Sequence, residues 1–318
     1  MGTPYQQGVF IRPLVQPAAL ACLLLLTSGA APAPQLYSLA WSSSLIAAGS
    51  WRQTRLIDPA THQTLYTLPN AADAVRAVAF SPDDKLLAAA GGLPARKGEV
   101  QIWRTGDRTL VNTISGHSDC IYAAAFSPDG AILATASYDK LVKLWDVGSA
   151  KELRTLKDHI DAIYALAFTR DGKRLVTGAA DRSVKVWDVA AGTRIYTLSD
   201  STDGINAVAI SPDGRRVAAG GYDKTIRIWS LGEKEGVLEH SLIAHEDTIL
   251  KLAWSPDGVY LASASADRTI KLFRASDLTE LRVLSKLPDW TQGLEFSPNS
   301  KSLAAAFFNG ALEFYAVP

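Results

Sequence analysis

Three histidines stand at matching positions. His117, His159 and His245 lie 28 residues before Trp145, Trp187 and Phe273 respectively. Imidazole is a common metal ligand and proton carrier, so such a set invites a chemical reading. A second set is acidic: Asp73, Asp119, Asp161, Asp203, Asp247 and Asp289 occupy one equivalent place, Asp119 lying 26 residues before Trp145. Carboxylates there would either ring a common opening or cap their own loops by accepting backbone N–H bonds. A third set joins cations, Arg52, Lys140, Arg182, Lys224 and Arg268, to aromatics, Trp51, Tyr122, Tyr138, Tyr164, Tyr222 and Trp290. Aromatic anchors among charges suit a peptide or protein partner, where such residues carry most of the binding energy. The competing reading is packing at the rim between neighbouring units. The sequence contains no nucleophile elbow, metal-ligand cluster, dinucleotide loop or paired catalytic carboxylates.

These residues need a frame, and Gly116–Asp146 supplies it: GHSDCIYAAAFSPDGAILATASYDKLVKLWD. Two apolar runs, Ile121–Phe126 and Ile132–Ser137, flank a Ser-Pro-Asp-Gly turn. Asp139-Lys140 makes a corner, and Leu141–Trp145 alternates as a third strand. The stretch recurs, its third strand ending on Ile57, Trp103, Trp145, Trp187, Trp229, Phe273 and Tyr315, at intervals of 46, 42, 42, 42, 44 and 42 residues by subtraction. One hairpin-rich unit per period cannot bury both faces alone; stacked copies can.

The Gly-His…Trp-Asp frame resembles the WD-repeat family of β-propellers, over roughly Gln35 to Pro318. The resemblance implies an all-β, seven-bladed β-propeller of four-stranded antiparallel blades, as in bacterial-type WD-repeat proteins. Some of those are exported and joined to cytochrome-like domains, but no haem motif occurs here. In the family pattern the His joins a second-strand Ser or Thr, the corner Asp and the third-strand Trp in a hydrogen-bonded structural set. His117, Ser137, Asp139 and Trp145 match at all four places. His159, Asp181 and Trp187 have Ala179 at the hydroxyl place; His245, Ser265 and Asp267 end in Phe273, which lacks the indole donor. The fifth copy has Ser201 for His and Gly221 for Ser. The same geometry gathers the first-strand loops and the corners on one face of the disc, called the top.

Formal net charge is zero, so no basic excess points to nucleic acid or anionic lipid. Two cysteines, Cys22 and Cys120, build no disulfide framework and no zinc site. Residues 1–34 stand apart from the repeats, which fill 35–318. This leader reads either as a signal peptide, with Arg12, an apolar Ala18–Leu26 and a small-residue site at Ser28–Ala30, or as a closing strand at Ala21–Thr27 that completes the last repeat. The first implies export, the second a cytoplasmic protein. The run is too short to span a membrane. Leu93–Gly98 reads as a loop insertion in the second copy.

The expected function is a non-catalytic, monomeric scaffold for protein–protein contacts, without cofactor or metal. Its expected binding residues are Asp119, Tyr122, Tyr138, Lys140, Asp161, Tyr164, Arg182, Asp203, Tyr222, Asp247 and Trp290. The alternative is an enzyme, or a ligand- or metal-sensing subunit, with its site in the central channel.

Overall fold

Turn chemistry at both ends of each hairpin sets the architecture. At one end, Gly130 N–H donates to Ser127 O (2.8 Å) and Ile132 N–H to Ser127 Oγ (2.9 Å). Ser127 O–H in turn donates to Asp129 Oδ1 at 2.5 Å. Gly130 has φ 73°, where a glycine has no Cβ to clash. The same hydroxyl–carboxylate lock closes the turns at Ser81–Asp83, Thr169–Asp171, Ser211–Asp213 and Ser255–Asp257. At the other end, the corner cations Arg52, Lys140, Arg182, Lys224 and Arg268 all take positive φ, from 54° to 71°. That region is uncommon for such residues, so its recurrence marks a required bend.

The computed structural model describes residues 35–318, and these form β-strands and turns without a helix. Four antiparallel sheets have four strands each. They run from Ile121–Phe126 to Glu152–Lys157, Ile163–Phe168 to Thr193–Leu198, Ile205–Ile210 to Gly236–Ile243, and Ile249–Trp254 to Glu280–Leu284. A six-stranded sheet, Leu36–Trp41 to Leu110–His117, precedes them. A three-stranded one, Thr291–Phe296, Ser302–Phe307 and Leu312–Ala316, follows.

The six-stranded sheet departs from four strands per copy because two runs continue through corners. Ile46–Ile57 pairs first with Leu36–Trp41 and then, beyond Arg52, with the start of Thr64–Phe80. Thr64–Phe80 likewise changes partner and ends on Leu86–Leu93. The insertion in the second copy is not a loose loop. It lengthens a hairpin, with Leu93 opposite Lys97 and Ala95 at φ 54° in the turn. The closing-strand and signal readings of the leader both lie outside the described residues.

Every innermost strand carries a bulge between its first and third residues, as between Ile121 and Ala123. A bulge re-aims a side chain. Here it falls at the second residue of each strand: Tyr37, Arg76, Tyr122, Tyr164, Asn206, Leu250 and Gln292. These inner strands touch one another in chain order, and Thr291–Phe296 also touches Leu36–Trp41. A Cβ on Gly293 would lie 2.5 Å from Leu39 Cβ, so only glycine permits that approach.

The core lies between sheets. Trp145 and Leu133 pack with Val100, Ile102 and Ile114 of the preceding copy, and Trp187 packs with Ala134, Leu144 and Leu156. One cluster joins Leu36, Ile46 and Ile57 to Ala304 and Ala306, coupling the first copy to the last. Outer strands are largely exposed, as Glu152–Lys157 shows. Since each cluster draws on two copies, no copy has a core of its own.

Candidate binding face and its buried support

The loop into each inner strand and the neighbouring corner lie at the same end of their sheet. Tyr138 N–H donates to Cys120 O (3.0 Å), Ala180 to Ala162 (2.8 Å) and Tyr222 to Gly204 (2.9 Å). Beneath this end sit the histidines. His117 Nδ1 is 2.9 Å from Asp139 Oδ2 and its Nε2 is 2.8 Å from Thr135 Oγ1. Trp145 Nε1–H donates to the same Oγ1 at 2.9 Å. With the carboxylate as acceptor, Nδ1 carries the proton; Thr135 then donates to Nε2 and accepts from the indole. Asp139 also accepts the Ser118 N–H at 2.9 Å, which ties the loop to the corner.

The hydroxyl in this set is therefore Thr135, not Ser137. Ser137 Oγ donates to Asp119 O (3.0 Å) and accepts from Asp139 N–H (3.1 Å). The correction completes the fourth copy, where Ala179 had left the set one member short. His159 binds Asp181 and Thr177, each at 2.7 Å, and Trp187 Nε1–H reaches Thr177 at 2.9 Å. In the sixth copy His245 binds Asp267 (2.9 Å) and Ser263 (2.7 Å), while Ser265 binds Asp247 O. The fifth copy meets the same need differently: Trp229 Nε1–H donates to Asp200 Oδ2 (2.8 Å) and Arg227 to Asp223 (2.6 Å).

Burial alone would raise the Asp139, Asp181 and Asp267 carboxyls. Bonds to their histidines and to nearby hydroxyl and backbone donors outweigh it and hold all three below the ordinary value. Burial pulls His245 down, against the attraction of Asp267. Both ring nitrogens of each of these histidines are thus bonded inside the protein, as buried polar groups require.

The loop aspartates each accept the N–H of the next residue through Oδ1: Asp119 from Cys120 (2.7 Å), Asp161 from Ala162 (2.8 Å), Asp203 from Gly204 (2.7 Å), Asp247 from Thr248 (2.6 Å) and Asp289 from Trp290 (2.8 Å). Asp119 also takes the Ala95 N–H at 2.9 Å, so the lengthened hairpin of the second copy rests on the third. Asp73 faces Arg52 at 3.9 Å. Among the described residues no three His, Cys, Asp or Glu side chains converge as a metal would require.

The aromatics gather in two groups. Tyr122 contacts Tyr164 edge-on at 5.2 Å and Tyr138 at 6.2 Å between ring centroids. Burial pushes the Tyr222 hydroxyl up to about 12, and the nearby Tyr122, Asp203 and Tyr138 add to the shift. Tyr222 therefore belongs with them. Tyr138 is 38% exposed, and Lys140 and Arg182 are exposed at the adjoining corners. Trp290 lies with Phe308 and Tyr37 on the other side. Arg76 bridges the groups, its guanidinium 4.8 Å from the Tyr122 ring centre and 5.7 Å from that of Tyr37.

The model of the WD domain, G-beta repeat, matches residues 62–104, 108–146, 150–188, 192–230 and 236–274. The chain belongs to the WD-repeat family. The match at 62–104 lies within the six-stranded sheet, while each of the four that follow begins on the outer strand of one sheet and takes three strands from the next, so these repeats are interlocked through shared sheets. The stretches at 36–57 and 291–316, outside the matches, build the sheets that meet in the first-to-last cluster. A search of curated proteins returned no match.

The central cavity, about 170 Å³, is lined by the inner strands. It holds two residues that reading the sequence missed, Lys251 and Glu295. Aligned on the inner strand, the third position reads Ser38, Ala77, Ala123, Ala165, Ala207, Lys251, Gly293. The fifth reads Ala40, Ala79, Ala125, Ala167, Ala209, Ala253, Glu295. The signal was available only by placing all seven strands in register.

Proposed function

We propose that this chain is a non-catalytic, seven-bladed propeller that holds a peptide or protein segment at the top end of its channel. The seven-blade reading rests on seven inner strands in cyclic contact, the last touching the first. The observation that carries the binding surface is the cluster of Tyr122, Tyr138 and Tyr222, backed by the buried Tyr164, beside exposed Lys140 and Arg182. Flat aromatic surface next to mobile charge is what recognition of an extended segment needs, and rigid sheets hold it in place. The loop aspartates contribute less as contacts, because each is engaged in holding its own loop. WD-repeat proteins generally act as interaction scaffolds, which favours this reading.

The test is capture of the dominant binding protein by full-length chain. Tyr138→Ala with Arg182→Glu should reduce recovery about tenfold, a loss of about 1.4 kcal/mol. Lys151→Glu with Lys234→Glu, exposed in loops at the opposite end of their sheets, should leave it unchanged. The reverse pattern, with both variants folded by circular dichroism, would overturn the proposal.

A further inference from the structure

At the end opposite the tyrosine cluster, side chains of one sheet plug the gap to the next. Ile132, Arg174, Arg216 and Tyr260 hold one equivalent place. The backbone N–H of each donates to the hydroxyl that opens its turn, on Ser127, Thr169, Ser211 and Ser255 respectively. Arg154, Tyr196 and Arg282 hold a second place on the outer strand, opposite Leu144, Val186 and Leu272. At two gaps both side chains cross to the following sheet. Arg174 and Tyr196 donate together to Gly232 O, at 2.6 and 3.0 Å. Tyr260 O–H donates to Pro318 O (2.9 Å) and Arg282 to Ala316 O (2.8 Å). Each of these plugs joins one arginine to one tyrosine. Arg216 differs, pairing at 3.0 Å with Glu239 of its own sheet.

The gap between the third and fourth copies has half a plug. Ile132 at the first place has no polar tip and ends short. Arg154 at the second runs over Gly192 of the following sheet. Its guanidinium pairs with no carboxylate among the described residues. What remains is a cavity of about 930 Å³, against roughly 300–1,000 Å³ for ordinary ligand pockets. Pro128, Ile132, Leu144, Leu153 and Val189 give it an apolar floor, on which Leu153 is 50% exposed. Ala190 lines it at the place that Gly232 and Pro318 hold in the other two gaps.

We propose that this slot receives a tyrosine side chain from a partner segment, completing the arginine–tyrosine plug that the chain builds for itself at two other gaps. The ring covers the apolar floor, and its hydroxyl donates to a carbonyl of the loop at Ala190, as Tyr196 and Tyr260 do to theirs. Charge also selects an aromatic ring. Arg154 and Lys173 flank the floor, and the electron-rich face of a ring complements a cation, as Tyr66 does beneath Arg108 at 3.8 Å. The aspartates on the rim are turned into their own loops. Asp129 accepts from Ser127 and Ala131, Asp171 from Thr169 and Lys173, and Asp188 from Ala191. A guest arginine would meet the like charge of Arg154 and cover less of the floor. The slot shares no residue with the proposed top-face contact and goes beyond that reading.

The experiment is calorimetric titration of the full-length chain with acetyl-Gly-Tyr-Gly-amide, beside its Phe and Arg counterparts. Saturable binding of the Tyr peptide at about millimolar concentration is expected, with the other two about fivefold weaker or more. Ile132→Tyr builds the plug from within, at the place where Tyr260 stands in the sixth copy. It should abolish binding and leave the urea midpoint unchanged or raised. Arg154→Ala, at an exposed position, should weaken binding about threefold. No saturable binding of the Tyr peptide up to about 10 mM would overturn the proposal. So would Phe or Arg peptides binding as tightly, or undiminished binding by either variant. None of these outcomes changes what Tyr138→Ala with Arg182→Glu reports at the top face.

Discussion

Two walls of the same channel are built on one backbone plan and carry different chemistry. In the third to fifth repeats the inner strands present Ala123, Ala165 and Ala207 beneath a tyrosine cluster, and the Trp145, Trp187 and Trp229 indoles of those repeats are all hydrogen-bonded. In the sixth and seventh, the same third and fifth positions hold Lys251 and Glu295. Backbone register is common to both, since every inner strand has its bulge at the same place. The difference therefore lies in two side chains.

The largest expected effect falls on the supporting wall. Trp145 is 4% exposed and donates to Thr135, so Trp145→Ala should cost about 3–5 kcal/mol. Urea midpoints at constant m-value would show it. The other wall should respond in the opposite sense. Lys251→Ala with Glu295→Ala removes two poorly hydrated charges and should leave the midpoint at pH 8 unchanged or raised. A large loss would mean the pair is structural.

The same residues predict a pH slope. Glu295 titrates at about 7 in the fold and lower when unfolded. Between the two values the folded chain keeps a proton that the unfolded chain has lost, so stability falls as pH rises through that window, by up to about 1.4 kcal/mol per pH unit. Glu295→Ala should flatten that component in urea titrations at several pH values. In acid the sign reverses. The depressed carboxyls of Asp139 and Asp267 give stability that is lost as pH falls through their folded values. Smaller again is Trp145→Phe, which keeps most of the packing and loses the indole bond, about 1 kcal/mol. Phe273, at the equivalent place in the sixth repeat, already lacks that donor.

The repeat, its turns and its corners were legible because hairpin chemistry is local: Ser127, Asp129 and Gly130 act within a few residues. The hydroxyl of the polar set was not. Thr135 and Ser137 lie two apart on one strand and point the same way, and only the depth of His117 chooses between them. The role of Asp119 depends on Ala95, a residue of another repeat's hairpin. Lys251 and Glu295 look ordinary in their own strands; they become exceptional only against the alanines of the other repeats.

The central claim, that the tyrosine-rich end of the channel is the binding surface, is tested most directly by a photo-crosslinking residue at position 138, compared with the same residue at position 151, exposed at the opposite end of that sheet. The account predicts a discrete crosslinked partner from position 138 that Arg182→Glu diminishes, and none from position 151. Crosslinking to that partner from position 151 alone would contradict it.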